Sequence, residues 1–201
     1  MSVRAICICL PEYPDQIQRA KDHFAEVGLE VEFFWGIHAK IAGLATWHAY
    51  EYDHPGSGYR MGAKATGCWL SHYMLWNCMT RMVDDHYLVL ENDAKLPPDF
   101  VARLAQAMSD APADFDFLHV GHCCVEGHPK THVKGDVWES KHAQCTHGYV
   151  VRRNILPFLL KTMRKIWAPI DIQMQLEVFP QLKTFIVWPR IVDQFDMNLP
   201  P

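Results

Sequence analysis

Two carboxylates two residues apart, Glu91 and Asp93, follow directly on the apolar run Tyr87-Leu88-Val89-Leu90. Such a run, bounded by polar residues, predicts a strand buried on both faces. Acids at its end have no partner in the sheet, and an unpaired buried carboxylate is expensive, so a cation is the natural complement. If the strand conformation continues past Leu90, Glu91 and Asp93 point the same way. Two oxygen donors on one side, with diphosphate oxygens adding to them, suit Mg2+ or Mn2+. Either ion would neutralise a departing nucleoside diphosphate. The competing reading is a polar turn, for which Glu, Asn and Asp are ordinary residues. The acid pair alone leaves both readings open.

The elements that must position this pair alternate between strand and helix. Residues 3–10 form a short apolar run ended by Pro11 and Pro14. Residues 15–27 carry Ile17, Ala20, Phe24 and Val27 at helical spacing, with Gly28 as the C-cap, and residues 31–35 predict a second strand. This is a β-α-β unit. Residues 66–83 predict a long helix with Thr66 as N-cap and a stripe of Cys68, Trp69, His72, Trp76, Met79 and Val83. Further on, helices are expected over 98–108, 154–166 and 173–179, and strands over 86–90, 115–120, 143–151 and 184–188. Residues 122–141 read as a polar loop. Residues 37–63 contain His54-Pro55-Gly56-Ser57-Gly58, a loop signal, and suit a flap over a site. The whole predicts an α/β fold with a mostly parallel central sheet flanked by helices, in one domain over residues 1–201. In open sheets of this kind ligands bind beyond the carboxyl ends of the strands, where Glu91 to Asp93 fall.

Composition sets the outer limits. Hydrophobic residues make up 49% and charged residues 21%, as in an ordinary globular protein, and the net charge is -4 with His neutral. That balance disfavours a generally basic, nucleic-acid-wrapping surface. No run approaches the roughly 18 apolar residues of a membrane span, and residues 3–10 read as a strand rather than a leader. Seven Cys in no regular framework read as a reducing, cytoplasmic setting. Cys123 and Cys124 stand near His119, His122, His128 and His132, a composition that zinc would accept. However, no Cys-x-x-Cys pair is present, so scattered loop and core residues are the expectation.

A wider stretch of the chain carries more information. Gly67-Cys68-Trp69-Leu70-Ser71-His72, then Leu88-Val89-Leu90-Glu91-Asn92-Asp93-Ala94, resembles glycosyltransferase family 25, whose members carry a Gly-Cys-x-x-Ser-His helix followed by a Leu-Glu-Asp-Asp-Ala strand end. That family includes bacterial lipopolysaccharide sugar transferases and collagen galactosyltransferases. Gly36-Ile37-His38-Ala39, the Thr146-His147-Gly148-Tyr149 strand, Pro169-Ile170-Asp171, and Trp188-Pro189 with Gln194 resemble further family elements in the same order. Two departures stand out. Asn92 replaces the family's middle acid, and Cys9-Leu10-Pro11-Glu12 replaces an opening Asn-Leu followed by arginines.

The resemblance implies a GT-A-like nucleotide-binding fold and a metal-assisted hexosyltransferase. Its donor would be a nucleotide sugar (a UDP-sugar foremost), its cofactor Mn2+ or Mg2+, and its acceptor a saccharide or other hydroxyl. Asp93 is then the leading metal ligand and Glu91 a second ligand and catalytic residue. Asn92, Ser71, His72 and Gly36 are assigned to the donor; the alternatives are a turn cap for Asn92 and a hydrogen-bonded core histidine for His72. Leu10, Pro11 and Tyr13 would cradle or stack on the base, or form a plain surface loop. Asp171 would deprotonate the acceptor hydroxyl, giving inversion, or else cap its helix. His147 and Tyr149 would meet the acceptor, or His147 would complete the metal shell. A hydroxymethylated DNA base is an alternative acceptor, for which Arg152-Arg153 and Lys161 to Lys165 would supply phosphate contacts; the net charge weighs against it. A catalytically inactive relative that only binds nucleotide sugar is the other alternative, and a His/Cys metal protein built on residues 119–147 a third.

Overall fold

A computed structural model describes residues 3–38, 62–123 and 125–195. Most of the expected flap over 37–63 therefore lies outside the described residues. β1 (Arg4–Cys9) leads through α1 (Pro14–Glu26) to β2 (Glu32–Trp35). Pro14 opens α1 where its missing N–H costs nothing, and Ile17, Ala20 and Phe24 are the buried positions. Gly28, at φ +70°, takes the left-handed conformation that ends the helix.

α2 (Ala63–Met79) starts ahead of the expected point. Thr66 is not its cap: it lies inside the first turns and its hydroxyl donates back to the Gly62 carbonyl at 3.2 Å. Trp69, His72, Trp76 and Met79 are buried as their spacing predicts, joined by Gly67, Ser71 and Leu75. Val83 falls beyond the helix and is 82% exposed, so the stripe ends one turn early.

The chain continues through β3 (His86–Glu91), β4 (Ala94–Lys95), α3 (Phe100–Asp110), β5 (Phe117–Cys123), β6 (Thr131–Lys134), β7 (Val137–Glu139), β8 (Gln144–Arg152), α4 (Leu156–Thr162), α5 (Ile170–Gln173), β9 (Thr184–Val187) and β10 (Asp193–Gln194). Eight strands form one sheet in the order β2-β1-β3-β8-β5-β9-β7-β6. β2, β1 and β3 are mutually parallel, as are β5 and β9, whereas β8 runs antiparallel to both its neighbours. The sheet is thus parallel at its first half and mixed beyond it.

Strand alternation distributes the core between the two faces. Ala5, Cys7, Leu88, Leu90 and Val150 pack with α1 and α3 residues, and Ile6, Ile8, Tyr87, Val89, Tyr149 and Val151 pack with α2 and α4. Tyr87 to Leu90 are fully buried. Each of the aliphatic three contributes about 1.5–3 kcal/mol by leaving water. Glu91 continues the Tyr87-Val89 alternation and so belongs to the α2 face.

Three expectations are corrected. Residues 122–141 are not all loop, since β6 and β7 form an antiparallel pair at the sheet edge. Every residue of β6 is exposed, so no hydrophobic alternation marks it. The helix expected over 154–166 is α4 alone, entered through a single 3-10 turn at Arg153–Ile155. The segment after α5 widens into a π turn over Met174–Val178 before tightening again at Phe179–Gln181.

Candidate active site

The crossovers on the two sides of β1 supply the site. β2 lies on one side of β1 and β3 on the other, with α1 and α2 on opposite faces, so the carboxyl ends of β1 and β3 splay apart at a topological switch point. A cavity of about 360 Å³ opens there. Leu10 and Tyr13 line it from the loop after β1, Ser71 and His72 from α2, and Glu91 and Asn92 from the end of β3. Six expected residues thus converge from segments far apart in sequence. Gln16 and Lys64, which sequence reasoning did not single out, line it as well, as does Cys68 of the α2 motif. Lys64 stands in the first turn of a long helix, a position favourable to anions.

Glu91 is held by an ordered network. Its Oε1 accepts from the Thr146 hydroxyl at 2.5 Å and from His72 Nε2 at 3.1 Å. His72 Nδ1 lies 2.9 Å from the Tyr149 hydroxyl, which accepts from Trp76 Nε1 at 2.9 Å. With Trp76 donating to the phenol oxygen, the phenol proton goes to Nδ1, and Nε2–H is left to donate to the carboxylate. Burial alone would push the Glu91 carboxyl up, but the His72 and Thr146 donors outweigh it and the net displacement is downward. His72 is therefore both a buried core histidine and a site residue.

Asp93 is held differently. The strand stops at Glu91, and Asn92 and Asp93 form a turn, so the two acids do not share a pleat direction as expected. Asp93 Oδ2 accepts from Gln194 Nε2 on β10 at 2.9 Å, while Oδ1 is buried and has no hydrogen-bond partner among the described residues. Burial and the nearby Glu91 push this carboxyl up to about 6. An orphaned carboxylate oxygen next to a second acid fits a hard divalent cation. The fit is best at Asp93. Glu91 contributes at most its second oxygen, because Oε1 is already committed. Asn92 donates from Nδ2 to Gln16 Oε1 at 3.0 Å, so the replaced acid now ties the turn to α1.

The remaining expected residues separate into supports and flanks. Ser71 is 2% exposed; its hydroxyl donates to the Gly67 carbonyl at 2.6 Å and accepts from the Ile37 N–H at 2.8 Å. A Cβ on Gly36 would come within 2.9 Å of Ser71 Oγ and 3.0 Å of Ile8 Cγ2, so this glycine lets the end of β2 close on α2. Pro11 is exposed and is not among the cavity's lining residues. Tyr149 is fully buried; its expected contact with an acceptor is corrected to support of His72. Asp171 does not cap α5, where Pro169 holds that position. Its Oδ1 and Oδ2 accept from the Ile172 and Cys145 N–H groups, each at 2.9 Å. His147 faces a second cavity, which it lines with Lys95, Cys123, Arg190, Asp193 and Gln194, and burial holds its imidazole below the usual histidine range.

Of the histidines expected near Cys123, His122, His128 and His132 are engaged elsewhere, and it is His147 that comes close to Cys123 and Cys145. His122 bonds the Val187 carbonyl, His132 bonds the Gly135 carbonyl, and His128 stacks on His142. Cys123 instead pairs with Cys145 in a disulfide, Cα atoms 5.7 Å apart. The expectation of unpaired thiols fails because β5 and β8 are sheet neighbours, a relation no local spacing reveals.

A mixed α/β sheet with a switch-point cavity and acids at the end of a buried strand is consistent with a GT-A-like fold. The known proteins agree. A family profile described as glycosyltransferase family 25 (LPS biosynthesis protein) matches residues 5–174, and the chain belongs to that family. A glycosyltransferase 25 family member of Aedes aegypti is 33% identical over 122 residues, 57% of this chain and 20% of that protein. A human protein named inactive glycosyltransferase 25 family member 3 is 31% identical over 87 residues, 42% of this chain and 15% of its own length. The chain thus spans about a fifth or less of these two relatives. The glycosyltransferase GlyE of Streptococcus pneumoniae TIGR4 superposes with a TM-score of 0.51 at 9% identity, over 91% of this chain and 45% of that one. That likeness bears on the fold alone.

Proposed function

We propose that this chain, as one domain, transfers a hexose from a nucleotide-sugar donor to an acceptor hydroxyl with help from a divalent metal ion. The observation that carries the reading is the cavity at the ends of β1 and β3, lined by Glu91 and Asn92, by Tyr13, and by Lys64 at the head of α2. A base against Tyr13 and a diphosphate near Lys64 would bring the sugar to the acid block. Mn2+ or Mg2+ held at Asp93, with Glu91 second, would neutralise the leaving diphosphate. Glu91 itself is pinned by His72 and Thr146, which suits a residue that orients and stabilises positive charge on the sugar. A UDP-sugar is the donor favoured by family membership.

Inversion, with Asp171 as base, belongs to the same reading. Family membership and the position of Asp171 beside Cys145, one residue from Thr146, support it. Its two backbone hydrogen bonds oppose it, since both carboxylate oxygens are already engaged by the Cys145 and Ile172 N–H groups. A saccharide acceptor is favoured over DNA by the net charge of -4. The cytoplasmic setting drawn from unpatterned cysteines loses support at Cys123–Cys145, because paired cysteines belong to oxidising compartments or to redox-responsive thiols. No helix among the described residues is long and apolar enough to cross a membrane.

The test is nucleotide release from a panel of UDP-, GDP- and CMP-sugars with Mn2+ and candidate saccharide acceptors. Release from one donor is expected, with loss by at least about 100-fold in Asp93→Ala and on chelation. A second reading, a donor-binding protein without turnover, is favoured by Asn92 and by the human relative named inactive. It predicts calorimetric binding of the same donor with no release. Neither binding nor release from any donor would overturn both.

A further inference from the structure

Where β5 meets β8, three side chains whose donor atoms zinc accepts come together. Potential ligand atoms of Cys123, Cys145 and His147 all lie within 4.8 Å of one another. We propose that, once the Cys123–Cys145 disulfide is reduced, these three residues bind a soft divalent cation of the zinc class.

The imidazole is already arranged as a ligand. His147 is 1% exposed, and its Nε2 lies 3.2 Å from the Val192 carbonyl oxygen. A carbonyl only accepts, so Nε2 carries the hydrogen and Nδ1 carries the lone pair. That Nδ1 is buried and has no hydrogen-bond partner among the described residues. Metal-binding histidines characteristically donate their other nitrogen to a carbonyl or carboxylate, which fixes ring and tautomer. The sheet makes room for this ring: a Cβ on Gly121 would meet His147 Nε2 at 2.5 Å. Cys123 and Cys145 supply the thiolates from adjacent strands. The second cavity, about 350 Å³ and bordered by Cys123 and His147, leaves a fourth position open to water or a small ligand.

The donor set separates this site from Asp93. Two thiolates and an imidazole favour zinc, whereas carboxylate oxygens favour Mg2+ or Mn2+. Access is governed by redox state. Two small thiols supply two electrons and two protons to the Cys123–Cys145 bond and leave as their own disulfide. The cation then displaces both thiol protons to solvent. In the oxidised pair the sulfurs bind each other and the cation has only His147.

The test needs neither donor nor acceptor. The full chain is divided into oxidised and phosphine-reduced samples, equilibrated with Zn2+ and assayed for bound metal by mass spectrometry. A reduced sample is also loaded with Co2+ to read the thiolate charge-transfer absorption. One zinc per reduced chain, little in the oxidised chain, and a cobalt–thiolate band are expected. Cys145→Ser and His147→Ala should weaken binding by more than about 100-fold, while Cys68→Ala, which alters the separate Cys68–His72–Glu91 group, should leave it intact. Because wild-type protein provides the spectroscopic readout, misfolded variants cannot rescue the idea. Equal zinc in oxidised and reduced protein, a cobalt spectrum without the thiolate band, or loss of zinc in Cys68→Ala would overturn it.

Discussion

At the scale of single residues, Glu91 and Asp93 show how two acids two positions apart acquire different properties. Glu91 has donors and sits low; Asp93 has one oxygen without a partner among the described residues and sits at about 6 against an ordinary 3.8. Between those two values folded Asp93 holds its proton more tightly than the unfolded chain does. Its contribution to stability is therefore full below about 3.8 and falls as pH rises through about 6. After allowance for partial exposure, the loss is on the order of 2 kcal/mol. Asp93→Asn should abolish this slope and raise the urea midpoint at pH 7, even as it removes activity. Equal midpoints for variant and wild type at pH 7 would show that Asp93 carries no such penalty. Sequence made the acid block legible as a site, because a buried run ending in acids leaves charge that nothing within the sheet can satisfy. It could not show that the block divides, since Glu91 is satisfied from α2 and β8, and Asp93 from β10.

At the scale of elements, the first half of the fold was readable and the second half less so. β1, α1, β2 and β3 each carry a full hydrophobic period, and each forms near its expected bounds. β6 carries none, because it lies exposed at an edge, so polarity was mistaken for loop. The Cys123–Cys145 pairing depends on β5 and β8 being neighbours, which is a property of sheet order. The close fit of these two strands also has a mutational signature. Gly121→Ala places a methyl against the His147 ring, 2.5 Å from Nε2. The ring is held by Val192 and cannot simply step aside, so a loss of about 1–3 kcal/mol in chemical denaturation is expected. An alanine variant as stable as wild type would mean that the ring has another place to go. Cys145 adds a local constraint: at φ +67° it is the one described non-glycine residue with positive φ, and its N–H is fixed by Asp171. Conformations of this kind persist where the surroundings over-determine them, and they gather at functional sites.

Viewed as a whole molecule, the charge distribution matters more than its total. The chain is acidic overall, yet its main cavity pairs Lys64 with the head of α2 opposite an acid block. On the proposed function, a nucleoside diphosphate would satisfy both ends only with a cation present. Binding at 100 times the dissociation constant stabilises a fold by about 2.7 kcal/mol, or about 5–10 °C in a domain of this size. With Mn2+, the diphosphate of the true donor should produce such a shift in scanning fluorimetry, and Lys64→Ala should weaken its affinity by about 5-fold. A shift from all nucleotides alike, unchanged by Lys64→Ala, would place the diphosphate elsewhere. Lys64 went unnoticed in the sequence because a lone lysine is the commonest of surface residues; only its neighbours give it meaning.

One further consequence follows from the chain of hydrogen bonds behind Glu91. It ends on the indole of Trp76, one of seven tryptophans and wholly enclosed. Indole emission responds to what its N–H donates to and to the ionisation of a neighbouring imidazole. The Glu91 carboxylate is thus joined to a buried indole by three successive hydrogen bonds, and a ligand that draws on Glu91 is expected to change the emission by an amount that disappears in Trp76→Phe.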